Sequence, residues 1–131
     1  MSATMTTAFV EEIERETSTE GIASIARYLQ DQLGQKTVAY LAGIRDPKMV
    51  GRWAAGKNSP AEMTTLRLRA AFEITRLLSA AYNAETAKAW LFGSNSRLDG
   101  EAPAYLIRYA NSWDDLRPIV PTARAFAGGA D

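Results

Sequence analysis

Basic side chains are concentrated in one stretch of this sequence, between residues 35 and 60. The stretch holds five cations, beginning with Lys36, and a single anion, Asp46, so its net charge is +4 in a chain whose net charge is 0. Lysine and arginine gathered on one element are the side chains that bind the phosphates of nucleic acid. We therefore predict a DNA-binding surface here. Its expected contact residues are Arg45, Lys48, Met49, Arg52 and Lys57.

The residue types that most often carry enzyme chemistry are missing. The sequence contains no cysteine and no histidine, which excludes disulfide bonds, thiolate metal sites and nucleophile systems built on histidine. Adjacent carboxylates such as Asp114 and Asp115 point about 100° apart on a helix, rather than toward a shared substrate. We therefore expect neither an enzyme nor a metal site nor a cofactor.

Two short helices joined by a tight corner must position the cations. Glycine adopts the left-handed conformation easily, so Gly43 is expected to end the first helix and Gly56 the second. Asp46 is expected to cap the second helix, with Pro47 at its first position, where a missing N–H does no harm. This series of residues that end one helix and start the next is typical of a helix-turn-helix unit.

The second of these helices has two distinct faces in the sequence. Val50 and Trp53 fall on an inner face, whereas Lys48 and Arg52 fall on an outer face. A helix-turn-helix unit docks by its inner face and offers its outer face to DNA. The alternative is a merely structural helix pair, in which Val50 and Trp53 would be core residues as well.

A long helix is predicted after the turn at residues 57–60, running from about residue 61 to residue 81. Its wide apolar face suits a spine between two modules. We expect its arginines to be solvated or ion-paired, with Arg67 and Arg69 as lesser candidates for phosphate contact. Upstream, residues 1–18 read as a short amphipathic helix or a frayed arm, and its glutamates as solvated.

The fold predicted from these patterns is all-α. An N-terminal helix-turn-helix bundle is joined by the long central helix to a small C-terminal helical module. The expected divisions are an arm at 1–18, a DNA-binding region at 19–82 and a C-terminal region at 83–131 with a flexible tail. A chain of 131 residues suits one domain or two small modules that share a core.

The C-terminal region contains an ordered series of residues that resembles a known family. Trp90-Leu91-Phe92-Gly93-Ser94-Asn95 is followed by Leu98, then Gly100, then Pro103 and then Leu106-Ile107. This order is similar to that of the Xre/MbcA/ParS toxin-binding domain. The upstream residues Val50, Arg52, Trp53 and Gly56 resemble the helix-turn-helix that this family carries in front of that domain.

The resemblance implies an antitoxin of a type II toxin-antitoxin pair. Members of the family bind RES-domain toxins, which consume NAD, and repress their own operon through the helix-turn-helix. The alternative is a stand-alone helix-turn-helix regulator without a toxin. The toxin contacts expected on the resemblance are Asn95, Arg97, Arg124, Phe126 and Asp131. The structural residues expected are Gly43, Val50, Trp53, Trp90, Leu98 and Pro103.

The expected partners are a cognate RES-type toxin, operator DNA and at least one further copy of the chain. A single short reading helix makes few base contacts, which is the reason to expect a homodimer or a higher oligomer. The sequence has no apolar run long enough to span a membrane and no apolar leader, so we expect a cytoplasmic protein without a membrane partner.

Overall fold

The computed structural model describes residues 6–129, except for the side chains of residues 18 and 19. Within these residues every regular element is helical, as predicted, and no strand occurs. The helices are α1 (Thr7–Thr19), α2 (Ile22–Leu33), α3 (Gln35–Ala42), α4 (Lys48–Ala54), α5 (Glu62–Ala81), α6 (Ala84–Phe92), α7 (Pro103–Arg108), α8 (Trp113–Leu116) and α9 (Ile119–Ala127), with a 3₁₀ turn at Ser96–Leu98. None of these helices is both long enough and apolar enough to cross a membrane.

Helix α5 is the centre of the core. It contacts α1, α2 and α3 on the N-terminal side and α6, α7, α8 and α9 on the C-terminal side. Leu68, Ile74, Leu77 and Leu78 are fully buried along it, because apolar residues occupy more than one face of the helix. The buried residues form one continuous cluster. The two regions of the chain therefore share a single core.

Helix α1 is fastened to this core by polar as well as apolar contacts. Ile13 is fully buried, while two glutamates of the same helix pair with arginines from later helices. Glu16 accepts from Arg76 at 2.7 Å, and Glu14 pairs with Arg124 at 2.5 Å. The expectation of solvated glutamates is wrong for these two, because α5 and α9 bring arginines to the inner side of α1.

Arg69 differs from its expectation in the same region. It donates to the backbone carbonyls of Thr17 and Glu20, at 2.7 and 3.0 Å, where α1 ends. The last carbonyls of a helix have no partner within the helix, so a guanidinium placed there satisfies them. Arg69 is thus neither solvated nor ion-paired, whereas Arg76 forms the ion pair that was expected of it.

The positions of the 3₁₀ turn and of α7 agree with the residues that mark them in the sequence. Pro103 stands at the start of α7 and is buried, and Leu98 is the inward residue of the 3₁₀ turn. Trp90 is half-buried against the ring of Phe126, with ring centroids 6.2 Å apart. Helix α9 continues to Ala127, so the C-terminal region is packed helix up to that residue.

Candidate nucleic-acid interface

The corner between α3 and α4 is built on Gly43, as predicted. Gly43 has a left-handed backbone, with φ +82°, and its N–H donates to the carbonyls of Ala39 and Tyr40. The next N–H, from Ile44, donates to the carbonyl of Ala39 at 3.0 Å. This pattern satisfies the carbonyls at the end of α3 and turns the chain sharply.

The start of α4 is shifted by one residue from the prediction. Asp46 Oδ1 accepts from the backbone N–H of Lys48 at 3.0 Å, so its carboxylate does cap the helix. Pro47, however, occupies the N-cap position, and Lys48 is the first helical residue. The opening turn is tight, because the N–H groups of Met49 and Val50 bond to carbonyls three residues back.

Helix α4 has the two faces that its sequence indicates. Val50 is fully buried and Trp53 is 3% exposed, and both face the packing between α4 and helices α2 and α3. Lys48, Arg52 and Ala55 are exposed and follow one another at four- and three-residue spacing. That spacing places them in one row along the outer side of the helix.

Four of the predicted DNA contacts are exposed on this unit. We define the reader surface as Arg45, Lys48, Arg52 and Lys57, all of which are exposed. None of the four side chains forms a hydrogen bond or an ion pair with another described residue. Met49, the fifth predicted contact, is half-buried and packs against the core, so only an edge of it is available.

Arginines from distant parts of the chain hold the unit in place. Arg27 Nη2 donates to the carbonyl of Ala54 at the end of α4, at 3.1 Å. At the end of α3, Arg67 donates to Ala42 at 3.2 Å and Arg108 donates to Tyr40 at 2.9 Å.

These arginine caps were not predicted from the sequence, because each guanidinium is far along the chain from the carbonyl to which it donates. Arg67 was expected to be solvated or ion-paired, and it instead also bonds the carbonyl of Ala110 at 2.7 Å. A basic residue close to a helix end can be recognised by its spacing, but these partners meet only when the chain has folded.

The two guanidinium groups at the end of α3 also add to the positive charge beside the corner. Burial lowers the pKa of Arg67, and the neighbouring charge of Arg108 lowers it further. No carboxylate within the described residues forms an ion pair with either group. Both arginines lie outside residues 35–60, so the net charge of that stretch does not count them.

The C-terminal candidates lie in two places. Asn95 opens the 3₁₀ turn, where its Oδ1 accepts from the backbone N–H of Arg97 at 3.0 Å, and Arg97 itself is exposed. Arg124 and Phe126 are on α9 and hold that helix on the core. Asp131 lies outside the described residues.

Both α9 candidates have structural partners. Arg124 bridges Glu14 at 2.5 Å and Glu73 at 2.6 Å. The ring of Phe126 lies 5.2 Å from that of Tyr82, whose hydroxyl donates to the Phe126 carbonyl. Both side chains are only partly exposed.

Within residues 6–129, no three side chains of the types that bind metals are grouped closely enough to hold an ion. Comparison of the chain with protein-family models, with curated proteins and with solved structures finds no match.

Proposed function

We propose that this protein binds double-stranded DNA through the reader surface. The observation that carries the proposal is the exposure of four cations on one corner-linked helix pair, without partners among the described residues. Exposed arginine and lysine side chains held on a rigid element are suited to phosphate and base-edge contacts. Burial of Val50 and Trp53 fixes the orientation of the helix that carries Lys48 and Arg52.

The dimensions of α4 suit the major groove. An α-helix with its side chains is about 10–12 Å across, and the groove is about 12 Å wide. The seven residues of α4 cover about 10 Å of length, at 1.5 Å per residue. Lys48 and Arg52 would face the base edges. Arg45 precedes the helix and Lys57 follows it, so each would meet the phosphates that border the groove.

We further propose that the DNA-binding form is a homodimer. One helix of this length reaches few base pairs, and two copies would reach half-sites about 34 Å apart along the duplex. Sedimentation at micromolar concentration should give the mass of two chains. A monomeric mass both alone and on DNA would contradict this part of the proposal.

The contribution of Arg52 can be measured directly. Arg52→Ala should weaken binding to the DNA upstream of the gene by about 1–3 kcal/mol if the guanidinium reaches a base edge. Lys88→Ala is the matched control, because Lys88 is an exposed cation on α6 outside the reader surface. Equal affinities for the two variants would reject this role for Arg52.

The resemblance of the C-terminal region supports a more specific form of the proposal. In this form the protein is a cytoplasmic antitoxin that binds a RES-type toxin through residues 83–131 and represses its own operon. The alternative is a stand-alone regulator with the same DNA-binding surface. Co-purification from the native cell separates the two, since the antitoxin should carry a bound toxin and the regulator should not.

A truncation tests whether the end of the chain takes part in toxin binding. Helix α9 packs through Ala123 and Ala127, so a deletion that includes it would disturb the fold. The deletion should therefore remove only residues 128–131. Weaker inhibition of the toxin by this variant would support a contact through the end, and full inhibition would exclude one.

A further inference from the structure

A second basic site lies beside the reader surface, between α3, the corner and α7. We define the basic cleft by the side chains of Lys36, Tyr40, Arg45, Arg108 and Tyr109. Ala39, Ile44 and Pro47 also line it, and its volume is about 460 Å³. The residues that line it include three cations and no acid. Such a cleft attracts an anionic ligand.

The cations of the cleft are held in different ways. Lys36 and Arg45 are exposed, so their charged groups can move to meet a ligand. Arg108 is fixed by its bond to the Tyr40 carbonyl, and its guanidinium lies 4.7 Å from the centre of the Tyr40 ring. Burial raises the pKa of the Tyr40 phenol, and the neighbouring Tyr109 raises it further, whereas the positive charge of Arg108 lowers it. The net effect is a raised pKa, so the phenol is neutral at pH 7.

Aromatic rings extend from this cleft across the surface. Phe92 lies against Tyr40 with ring centroids 5.6 Å apart, and Tyr105 lies against Tyr109 at 4.7 Å. Arg108 connects the two pairs, since it also lies 5.7 Å from the Tyr109 ring. Tyr109 is 57% exposed and Tyr105 is 47% exposed. Large aromatic side chains left in solvent as a group indicate an interaction site.

We propose that the basic cleft binds a nucleotide unit, meaning a phosphate together with an unpaired base. Lys36 and Arg45 would hold the phosphate, and the base would stack on the exposed ring of Tyr109. Sites for single-stranded nucleic acid combine cations with aromatic platforms in this way, because every base has a flat face that stacks.

The exposed aromatic rings favour a nucleotide unit over an acidic peptide or a duplex as the ligand. An acidic peptide would satisfy the cations but would offer no flat group to the exposed part of the Tyr109 ring. A duplex would offer phosphates, but its bases are stacked on one another. The proposal goes beyond binding of duplex DNA, and the cleft shares only Arg45 with the reader surface.

Titration of the full-length chain with a labelled short oligothymidine tests the proposal. Tyr109→Ala should weaken binding about tenfold, which is within the range for loss of stacking on one base. Tyr109→Phe should bind as the parent chain does, because the ring is kept. Trp113→Ala is the control, since Trp113 is 50% exposed on α8 and does not line the cleft.

Competition identifies the source of the nucleotide and the class of ligand. Displacement of the oligothymidine by adenosine monophosphate would support a free nucleotide as the ligand. Oligothymidine binding that adenosine monophosphate does not displace would support an unpaired strand as the ligand. Displacement by inorganic phosphate or by polyglutamate at the same concentration as the mononucleotide would overturn the proposal. So would oligothymidine binding that Tyr109→Ala leaves unchanged, or no binding of either probe.

Two variants test duplex binding by the reader surface and nucleotide binding by the basic cleft independently. Arg52→Ala should reduce duplex binding and leave oligothymidine binding intact, whereas Tyr109→Ala should do the reverse. Loss of oligothymidine binding in Arg52→Ala at the level seen in Tyr109→Ala would show that both probes use one surface, and would overturn the separate site.

Discussion

At the scale of single residues, arginine serves two purposes in this protein. Arg27, Arg67, Arg69 and Arg108 donate to carbonyls at helix ends, whereas Arg45 and Arg52 are exposed. Spacing alone predicted the exposed position of Arg52, because it falls one turn after Lys48 on the outer face. The capping arginines could not be predicted in this way, since their partners come from other helices.

The capping role of Arg67 predicts a loss of stability. Arg67→Met keeps most of the aliphatic stem but leaves the carbonyls of Ala42 and Ala110 without their donor. Relief of the repulsion from Arg108 offsets part of this loss. We expect the free energy of unfolding in urea to fall by about 1–3 kcal/mol. Arg117→Ala, which removes an exposed ion pair, should change it by less than about 0.5 kcal/mol.

At the scale of elements, the α3–α4 corner depends more on Gly43 than the end of α4 depends on Gly56. Gly43 and Gly56 both have positive φ, +82° and +74°. A Cβ at Gly43 would lie 2.9 Å from Arg67 Nη1 and 3.3 Å from the Arg108 carbonyl, whereas a Cβ at Gly56 would meet nothing within 4 Å. In both alanine variants the left-handed backbone costs about 1–2 kcal/mol.

Gly43→Ala should therefore be the more destabilising of the two, because Arg67 must also give up its position at the end of α3. Urea midpoints of the two variants provide the measurement. Equal midpoints would show that the contacts with Arg67 and Arg108 do not restrain the corner. Both helix ends were predictable from local sequence, but the crowding at Gly43 was not, because it involves α5 and α7.

At the scale of the whole molecule, the core is continuous from α1 to α9. The all-α class and the central position of α5 followed from periodicity and from a helix with apolar residues on several sides. The contacts that join the C-terminal region to α3, such as that of Arg108 with Tyr40, could not be predicted. They depend on the approach of α7, which no local pattern specifies.

A single core predicts one cooperative unfolding transition. Trp53 lies in the N-terminal region and Trp90 in the C-terminal region. Single-tryptophan variants that keep one of these two, with Trp113 replaced in both, therefore report on each region. In each variant the fluorescence transition in urea should coincide with the loss of helical circular dichroism. A fluorescence midpoint that differs from the circular dichroism midpoint of the same variant would show that the regions unfold independently.

The salt dependence of duplex binding measures how many phosphates the reader surface contacts, because binding to phosphates releases counterions. The logarithm of the binding constant should fall linearly with the logarithm of salt concentration for the parent chain and for Lys88→Ala. Replacing both Arg45 and Lys57, the expected phosphate contacts, by alanine should lower the steepness of this line by about 2, because each neutralised phosphate contributes roughly 0.9 to the slope. An unchanged slope in the double variant would contradict DNA binding through the reader surface.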